Sequence, residues 1–509
     1  MKKVSLKQLI EKSSHWWVWL ILCLALFLGL FIRLYDLDDL PLDFHPTRQL
    51  HSLIIARGMY YQNLDDAPSW QREFAITEWQ EEDQIEPPIM ESLVASGYRL
   101  VGQEDLRLPR ILAISLWMIG GLGLFLLIFD MLGFAGAAIG LVYYLLIPYG
   151  ITASRSFQPE PLMIASLIWA WWAIWRWKTN PSWKWTIVAG LLTGFAILVK
   201  SPAIFFLLPV WMTLVLSTNS LIQAFKNVKI WVIVLFAALP TLAYTVYGLF
   251  IDGFLGSQFS LRFFPNLWTD FFYYRRWKDL IDNTMTLELF LLGALGAFLI
   301  KEKTTRKMVI SMWFGYVLYG LVFAYHIHSH DYYHLPQIPV VAIGLGALVT
   351  FILDHLEERK GLIKTILCGL IVFWMAANIT TVYLNLRDAN YRSEGVFWKS
   401  LGDKVRGSSV ISMTQDYGFR LSYWGWVNTT HWMSSYDFEY RELAGNVVDR
   451  EALFDETIKG MDYFLITAFG ELEKQPYVKG TLVNNYEVLD SSSDFVIFDL
   501  NARLEAQSD

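Results

Sequence analysis

The stretch "AGLLTGFAILVKSPAIFFLLPVWMTLVLST", residues 189–218, carries one charge, Lys200, near its centre. The apolar run on each side approaches the roughly 17–25 residues that cross a hydrocarbon core as a helix. Lys200 ends the first run and Pro202 opens the second, so the chain leaves and re-enters the bilayer on one face. A lysine at the end of a span ordinarily snorkels to the interface, and Lys200 by itself needs no further role.

The pattern recurs outward from this stretch. The chain of 509 residues is 54% hydrophobic and 17% charged, with a mean hydropathy of +0.35. That is too apolar for a soluble protein of several domains. Eleven apolar runs lie near 16–34, 109–130, 132–152, 159–176, 184–200, 202–218, 229–250, 285–301, 307–326, 335–353 and 361–383. They predict a mainly α, polytopic membrane bundle of about 11 transmembrane helices. Small-residue pairs four apart, Gly136 with Gly140 and Gly190 with Gly194, suit close helix packing.

Lys and Arg concentrate in cytoplasmic loops. The amino-terminal lysines, Arg176 with Lys178 and Lys184, Lys226 with Lys229, and "KEKTTRK" at 301–307 alternate consistently with a cytoplasmic amino terminus. An odd number of crossings puts the carboxyl terminus on the exported side of the plasma (inner) membrane. "LGLFIRLYDLDD" offers no cleavage site, so the first run is expected to remain as a helix. Cys23 and Cys368 both lie in apolar runs, leaving the exported parts without a disulfide framework. Many of the 23 Trp and 25 Tyr fall near run ends, as interfacial anchors do.

Two domains are expected. Residues 1–385 form the membrane domain, with a long periplasmic or extracellular first loop at 35–108, and 386–509 form a small exported α/β domain. That tail carries twelve Lys and Arg against twenty Asp and Glu. "SSVISMT", "MDYFLITA" and "DFVIFDL" read as strands, and "SEGVFWKSLGDKV" and "DREALFDETIKG" as helices. In the first loop, "TRQLHSLIIARGMYY" (47–61) and "PIMESLVASGYRLVG" (88–102) have the spacing of interfacial helices.

The sequence lacks the phosphate-binding Gly-Lys-Ser/Thr loop, a strand-linked G-x-G-x-x-G, H-E-x-x-H and paired C-x-x-C, which argues against nucleotide hydrolysis. The unusual polar residues instead gather at the outer ends of helices. "LDFHPTRQ" supplies Asp43 and Arg48: Asp43 is either a carboxylate poised to take a proton at the bilayer edge or part of a helix start before Pro46. "ASRSFQPEPLM" supplies Arg155, where an anion could dock, and Glu160, which also suits the positive end of a helix dipole. "HIHSHDYYHLPQIP" (326–339) supplies four histidines and two tyrosines. His326, His328 and His330 could hold a divalent metal, the one cofactor the sequence suggests, although such spacing also occurs without one. Arg262, Arg275, Arg276 and Lys278 make a cationic patch that solvation alone could explain. Ionisable groups near membrane depth are costly and usually functional. Cations to hold a leaving phosphate and a carboxylate to deprotonate a hydroxyl are what transfer from a lipid phosphate requires.

In their order, "EPPIMESLVASGYRLVGQEDLRLPR" (86–110), "SRSFQPEPLM", "AGLLTGFAILVKSPA" and "HDYYHLPQIP" resemble the GT-C superfamily of integral membrane glycosyltransferases, in particular the bacterial relatives of protein O-mannosyltransferases and of the lipid A aminoarabinose transferase. The resemblance covers most of 1–385. It implies a GT-C-like membrane domain and an inverting enzyme that moves a monosaccharide, a hexose or pentose, from a polyprenyl phosphate to an acceptor outside the cytoplasm. The usual Asp-Glu after His-Pro is replaced by Thr47 and Arg48, which shifts the base to Asp43, with Glu86 and Glu160 behind it, and lets Arg48 contact phosphate. Glu160 matches the second acidic position found after a Pro in the family, Arg155 the arginine before it, Lys200 the lysine of the T/V-K-x-P element and Tyr333 a tyrosine that resembles a phosphate contact. The resemblance implies a donor phosphate held among Arg155, Lys200 and Tyr333. Tyr332 stands where an arginine is common, a contact that His330 or Arg262 would replace. The implied partners are a polyprenyl-phosphate-linked sugar, membrane lipids and a glycan, lipid or protein acceptor, and no nucleic acid. A flippase of lipid-linked sugars would share the charged cavity, as would a binding member of the family without catalysis, but a flippase usually shows inverted repeats.

Overall fold

The computed structural model describes residues 16–82, 86–251, 253–255, 263–355, 360–443 and 445–504. In chain order its helices begin with α1 (Trp16–Leu34), α2 (Pro46–Tyr61), α3 (Ser69–Glu81), α4 (Ile89–Val101), α5 (Arg107–Leu132), α6 (Phe134–Leu146) and α7 (Pro148–Ala153). There follow α8 (Glu160–Thr179), α9 (Trp183–Val199), α10 (Ala203–Leu216), α11 (Leu221–Lys226), α12 (Val228–Val246), α13 (Phe271–Met285), α14 (Leu287–Leu299) and α15 (Lys303–Val322). The remainder are α16 (Ala324–Ser329), α17 (Ile338–His355), α18 (Lys360–Asp388), α19 (Glu394–Val405), α20 (Ser435–Leu443), α21 (Arg450–Thr457), α22 (Phe469–Leu472) and α23 (Pro476–Asn485). The strands are β1 (Val410–Met413), β2 (Thr430–His431), β3 (Tyr463–Ile466), β4 (Tyr486–Ser491) and β5 (Val496–Arg503).

All eleven apolar runs are helical, and the run at 132–152 is broken before Pro148 into α6 and α7. Among the described residues, four helical segments are by themselves long and apolar enough to cross a membrane, or five if the bent pair α13 and α14 counts as one. Several helices begin on the caps their sequences suggest. The Ser182 hydroxyl accepts the Trp185 N–H ahead of α9, and the Glu302 carboxylate accepts from Thr304 and Thr305 ahead of α15.

The chain forms two compact units that divide it elsewhere than at residue 385. Unit 1 holds residues 1–37, 83–90 and 107–389; unit 2 holds 38–82, 91–106 and 390–509. Most of the first outer loop therefore folds with the tail, not with the apolar helices.

In unit 1, α5 packs against α6 and α8, α9 runs along α12, and α14 along α17. Small residues decide how close these pairs come. A Cβ added to Gly194 would lie 2.2 Å from the Phe236 carbonyl oxygen, and one on Gly296 would lie 2.0 Å from that of Gly344. Only glycine permits such backbone approach.

Unit 2 is built on a five-stranded sheet of order β2-β1-β3-β5-β4, parallel across β2, β1 and β3 and antiparallel across β3, β5 and β4. Alternate residues serve opposite cores. Ile411, Met413, Phe464 and Ile466 face Trp432, Phe438 and Phe454, whereas Val410, Leu465 and Ile497 face Trp398, Leu401 and Leu421. Burial on both faces explains why β1 and β3 read as nearly unbroken apolar runs. The expected strands and helices of the tail are present; β2, β4, α20, α22 and α23 are additional.

The loop is joined to this sheet unit by polar contacts. Arg57 of α2 donates to Glu104 at 3.0 and 3.1 Å and lies over the Tyr423 and Trp426 rings at 3.7 and 4.4 Å. The Tyr423 hydroxyl completes the set by donating to Glu104 at 3.0 Å. Ser422 donates to the buried Glu78 of α3, and Thr47 to Asp416 at 3.0 Å. The interfacial role expected of α2 is consequently corrected. Leu50, Leu53, Ile54, Ile55 and Tyr60 are all buried, and the helix is part of a protein core. The spacing of α4 does leave an exposed apolar edge at Leu93, Leu100 and Val101.

Candidate functional site

Lys200 caps the carboxyl end of α9, in the turn before α10. Its Nζ is bonded to the Glu160 carboxylate at the start of α8, and Glu86 Oε1 lies 3.8 Å away. The two acids differ in access: the Glu160 side chain is 1% exposed and that of Glu86 25%. Lys200 also lies 5.5 Å from the centre of the Tyr332 ring. Tyr332 adjoins Tyr333 at 5.1 Å and His330 at 5.5 Å, and Tyr333 stacks on His326 at 5.1 Å. Glu86, Glu160, Lys200, His330, Tyr332 and Tyr333 thus form one continuous set within unit 1.

An ammonium has three donors, of which Glu160 takes one. The others can reach an incoming anion, and the tyrosine hydroxyls add donors beside them. Two carboxylates to one cation give this set more capacity to hold a proton or a hydroxyl than to hold an anion unaided. Tyr244, near the end of α12, lies within electrostatic reach of Glu86, and nothing in its local sequence marks it.

An apolar groove of about 480 Å³ runs between α9, α10 and α12, lined by Ile197, Ile204, Trp211, Ile233, Thr241 and Leu242 among others. Ile197 and Ile204 lie within about one helical turn of Lys200 along the chain, and Thr241 precedes Tyr244 by three residues. The groove therefore ends near the Lys200 set.

Arg155 has different work from that expected. Its guanidinium donates to the carbonyls of Arg33 at 2.7 Å, Tyr35 at 2.5 Å and Asp36 at 3.0 Å, closing the carboxyl end of α1. A buried cation there complements the helix dipole. Arg262 lies outside the described residues. Asp43 and Arg48 belong to unit 2. Asp43 accepts from Gln49 at 3.4 Å without capping α2, whose N-cap is His45 in a left-handed conformation, and Arg48 is half-buried on the first turn.

The three-histidine ligand set does not assemble. Among the described residues no three His, Cys, Asp or Glu side chains are arranged to hold a metal. Residues two apart on a helix point about 200° apart, so His328 turns back to the Ala324 carbonyl at 2.7 Å, whereas the His326 and His330 rings stay together, 5.6 Å between centres. Gln158 and Gln337 are further residues that motif spacing does not reveal. Both side chains are fully buried, with no hydrogen-bond partner for either amide atom among the described residues.

Residues 85–244 match the family described as dolichyl-phosphate-mannose-protein mannosyltransferase. No curated protein matches the chain in sequence. ArnT from Cupriavidus metallidurans bound to undecaprenyl phosphate is similar in structure, with a TM-score of 0.58 at 15% identity over 96% of this chain and 98% of that one. The oligosaccharyltransferase AglB from Archaeoglobus fulgidus, in complex with an inhibitory peptide and a dolichol-phosphate, gives 0.55 at 12% identity over 97% and 75%. The mycobacterial arabinofuranosyltransferase AftD gives 0.51 at 13% identity over 96% and 42%. The fold is that of the multi-pass GT-C membrane glycosyltransferases. Residues 85–244 resemble the protein mannosyltransferase family, and the fold over nearly the whole chain is similar to that of ArnT.

Proposed function

We propose that this chain transfers one sugar from a polyprenyl-phosphate carrier to an acceptor hydroxyl at the exported face of the plasma membrane, its eleven apolar helices crossing the bilayer from a cytoplasmic amino terminus. The observation that carries the reading is the Lys200, Glu160 and Glu86 set at the end of an apolar groove. The lipid phosphates named with ArnT and AglB support a carrier of that chemistry.

The lipid tail lies along the groove, and its phosphate takes the remaining donors of Lys200 with the hydroxyls of Tyr332 and Tyr333. The acceptor oxygen attacks the anomeric carbon as the bond from that carbon to the phosphate oxygen breaks. The electron pair leaves with the phosphate, and the hydroxyl proton passes to a carboxylate. Glu86 is assigned that role because it is accessible and adjoins Lys200, whereas Glu160 is enclosed and committed to the ammonium. One displacement inverts the centre, so a β-linked carrier yields an α-linked product.

The test is turnover of radiolabelled polyprenyl-phosphate sugars by the protein in nanodiscs. Loss of a general base costs about 10²- to 10⁴-fold, and Glu86→Gln is expected to fall in that range while Asp43→Asn stays within a few fold. Turnover lost in Asp43→Asn and kept in Glu86→Gln would move the base. Absence of turnover with every such sugar, together with passage of the labelled lipid across vesicles, would favour a flippase.

A further inference from the structure

The cations of α13 take no part in the reaction proposed above, and they border a second cavity. Helices α13 and α14 meet at 90°, at Thr286 in the left-handed region with φ 61°. If α14 runs along the membrane normal, α13 lies in the membrane plane. Its exposed Phe271, Phe272 and Tyr274 suit that placement, as aromatic residues collect at the interface.

The inner corner of the elbow, bordered on its third side by α15, is an open cleft of about 510 Å³, within the range of small-molecule sites. Tyr274, Trp277 and Lys278 line it from α13, Phe290 from α14, and Trp313 and Phe314 from α15. Every one of these is aromatic except Lys278, which is 52% exposed.

The acids of α13 are largely occupied. Asp270 accepts the Phe272 N–H, Asp282 accepts the Leu287 N–H at the corner, and Asp279 pairs with Lys278 at 2.9 Å. That exposed pair contributes little and can exchange for another anion. Arg275 lies one turn before Lys278 and Asp279, and makes no hydrogen bond or ion pair among the described residues. Arg276 lies within electrostatic reach of His328.

We propose that the elbow holds one anionic phospholipid, with an acyl chain in the corner among Trp277, Phe290 and Trp313 and its phosphate between Lys278 and Arg275. The walls come from α13, α14 and α15, whereas the groove assigned to the carrier lipid comes from α9, α10 and α12. A negative headgroup is selected because Arg275 and Lys278 share the single carboxylate of Asp279, which leaves one positive charge in excess. Each excess cation near a membrane surface favours an anionic lipid about fivefold.

Native mass spectrometry of the full chain, titrated in detergent with dioleoyl phosphatidylglycerol or dioleoyl phosphatidylcholine, tests this. The phosphatidylglycerol adduct is expected at roughly fivefold lower lipid concentration, since Asp279 offsets one of the two cations. Joint Arg275→Gln and Lys278→Gln substitution should reduce the preference below about threefold, with melting temperature and sugar transfer unchanged. Ala294→Phe, which fills the corner, should weaken both adducts. Equal retention of the two lipids by the unmodified chain would overturn the proposal, as would a preference that survives the double substitution. Stoichiometric displacement of phosphatidylglycerol by undecaprenyl phosphate would reassign the elbow to the carrier lipid.

Discussion

At the residue scale, the pairing of Lys200 with Glu160 is both a stability element and a chemical one. Removing one partner of a buried ion pair costs about 3–5 kcal/mol, whereas replacing both with apolar side chains is often neutral or stabilising. Lys200→Met is therefore expected to lower the melting temperature in detergent sharply, and the added Glu160→Met to recover most of it without restoring sugar transfer. Recovery of transfer in the double variant would show the pair to be purely structural.

His431 makes a different residue-scale prediction. Burial holds its imidazole below the ordinary value of 6.5, partly opposed by Asp437. Its folded pKa is depressed, so the unfolded chain binds the proton more readily as pH falls. The stability contributed by the neutral ring is fully present above about pH 6.5 and lost as the pH drops through the lower folded value. Melting curves between pH 5.5 and 7.5 should show that loss, and His431→Asn should flatten it.

At the element scale, the α9 and α12 pair shapes the groove. Gly194→Ala places a methyl 2.2 Å from the Phe236 carbonyl oxygen. Such overpacking costs about 1–3 kcal/mol and should part the helices where the carrier lipid is proposed to lie, lowering both melting temperature and turnover. Gly369→Ala in α18 is the control, since nothing lies within 4 Å of its added Cβ. It should leave stability unchanged or raise it by up to about 1 kcal/mol. The Gly190 and Gly194 spacing identified a close-packing face in the sequence; its partner, α12, was visible only once the helices were assembled.

At the scale of the molecule, the first outer loop and the tail stand or fall together. Arg57, Glu104 and Tyr423 come from three distant parts of the chain and close over one another inside unit 2. Arg57→Met strands Glu104 at a cost of about 3–5 kcal/mol. Residues 62–68, between α2 and α3, should then be cut by protease much faster than in the unmodified chain, while the apolar helices remain intact. Equal protection would separate the loop from the tail.

Local chemistry made the apolar helices, the main strands of the tail and the motifs around Glu160, Lys200 and Tyr333 legible in the sequence. Those features depend on length, periodicity of hydrophobicity and turn chemistry, all of which neighbouring residues carry. The division of the chain, the burial of α2, the diversion of Arg155 to the end of α1 and the splitting of the histidines depended on which surfaces meet. A guanidinium or imidazole has the same sequence signature whether it faces a phosphate or a helix carbonyl, and only the folded chain decides which acceptor comes within reach.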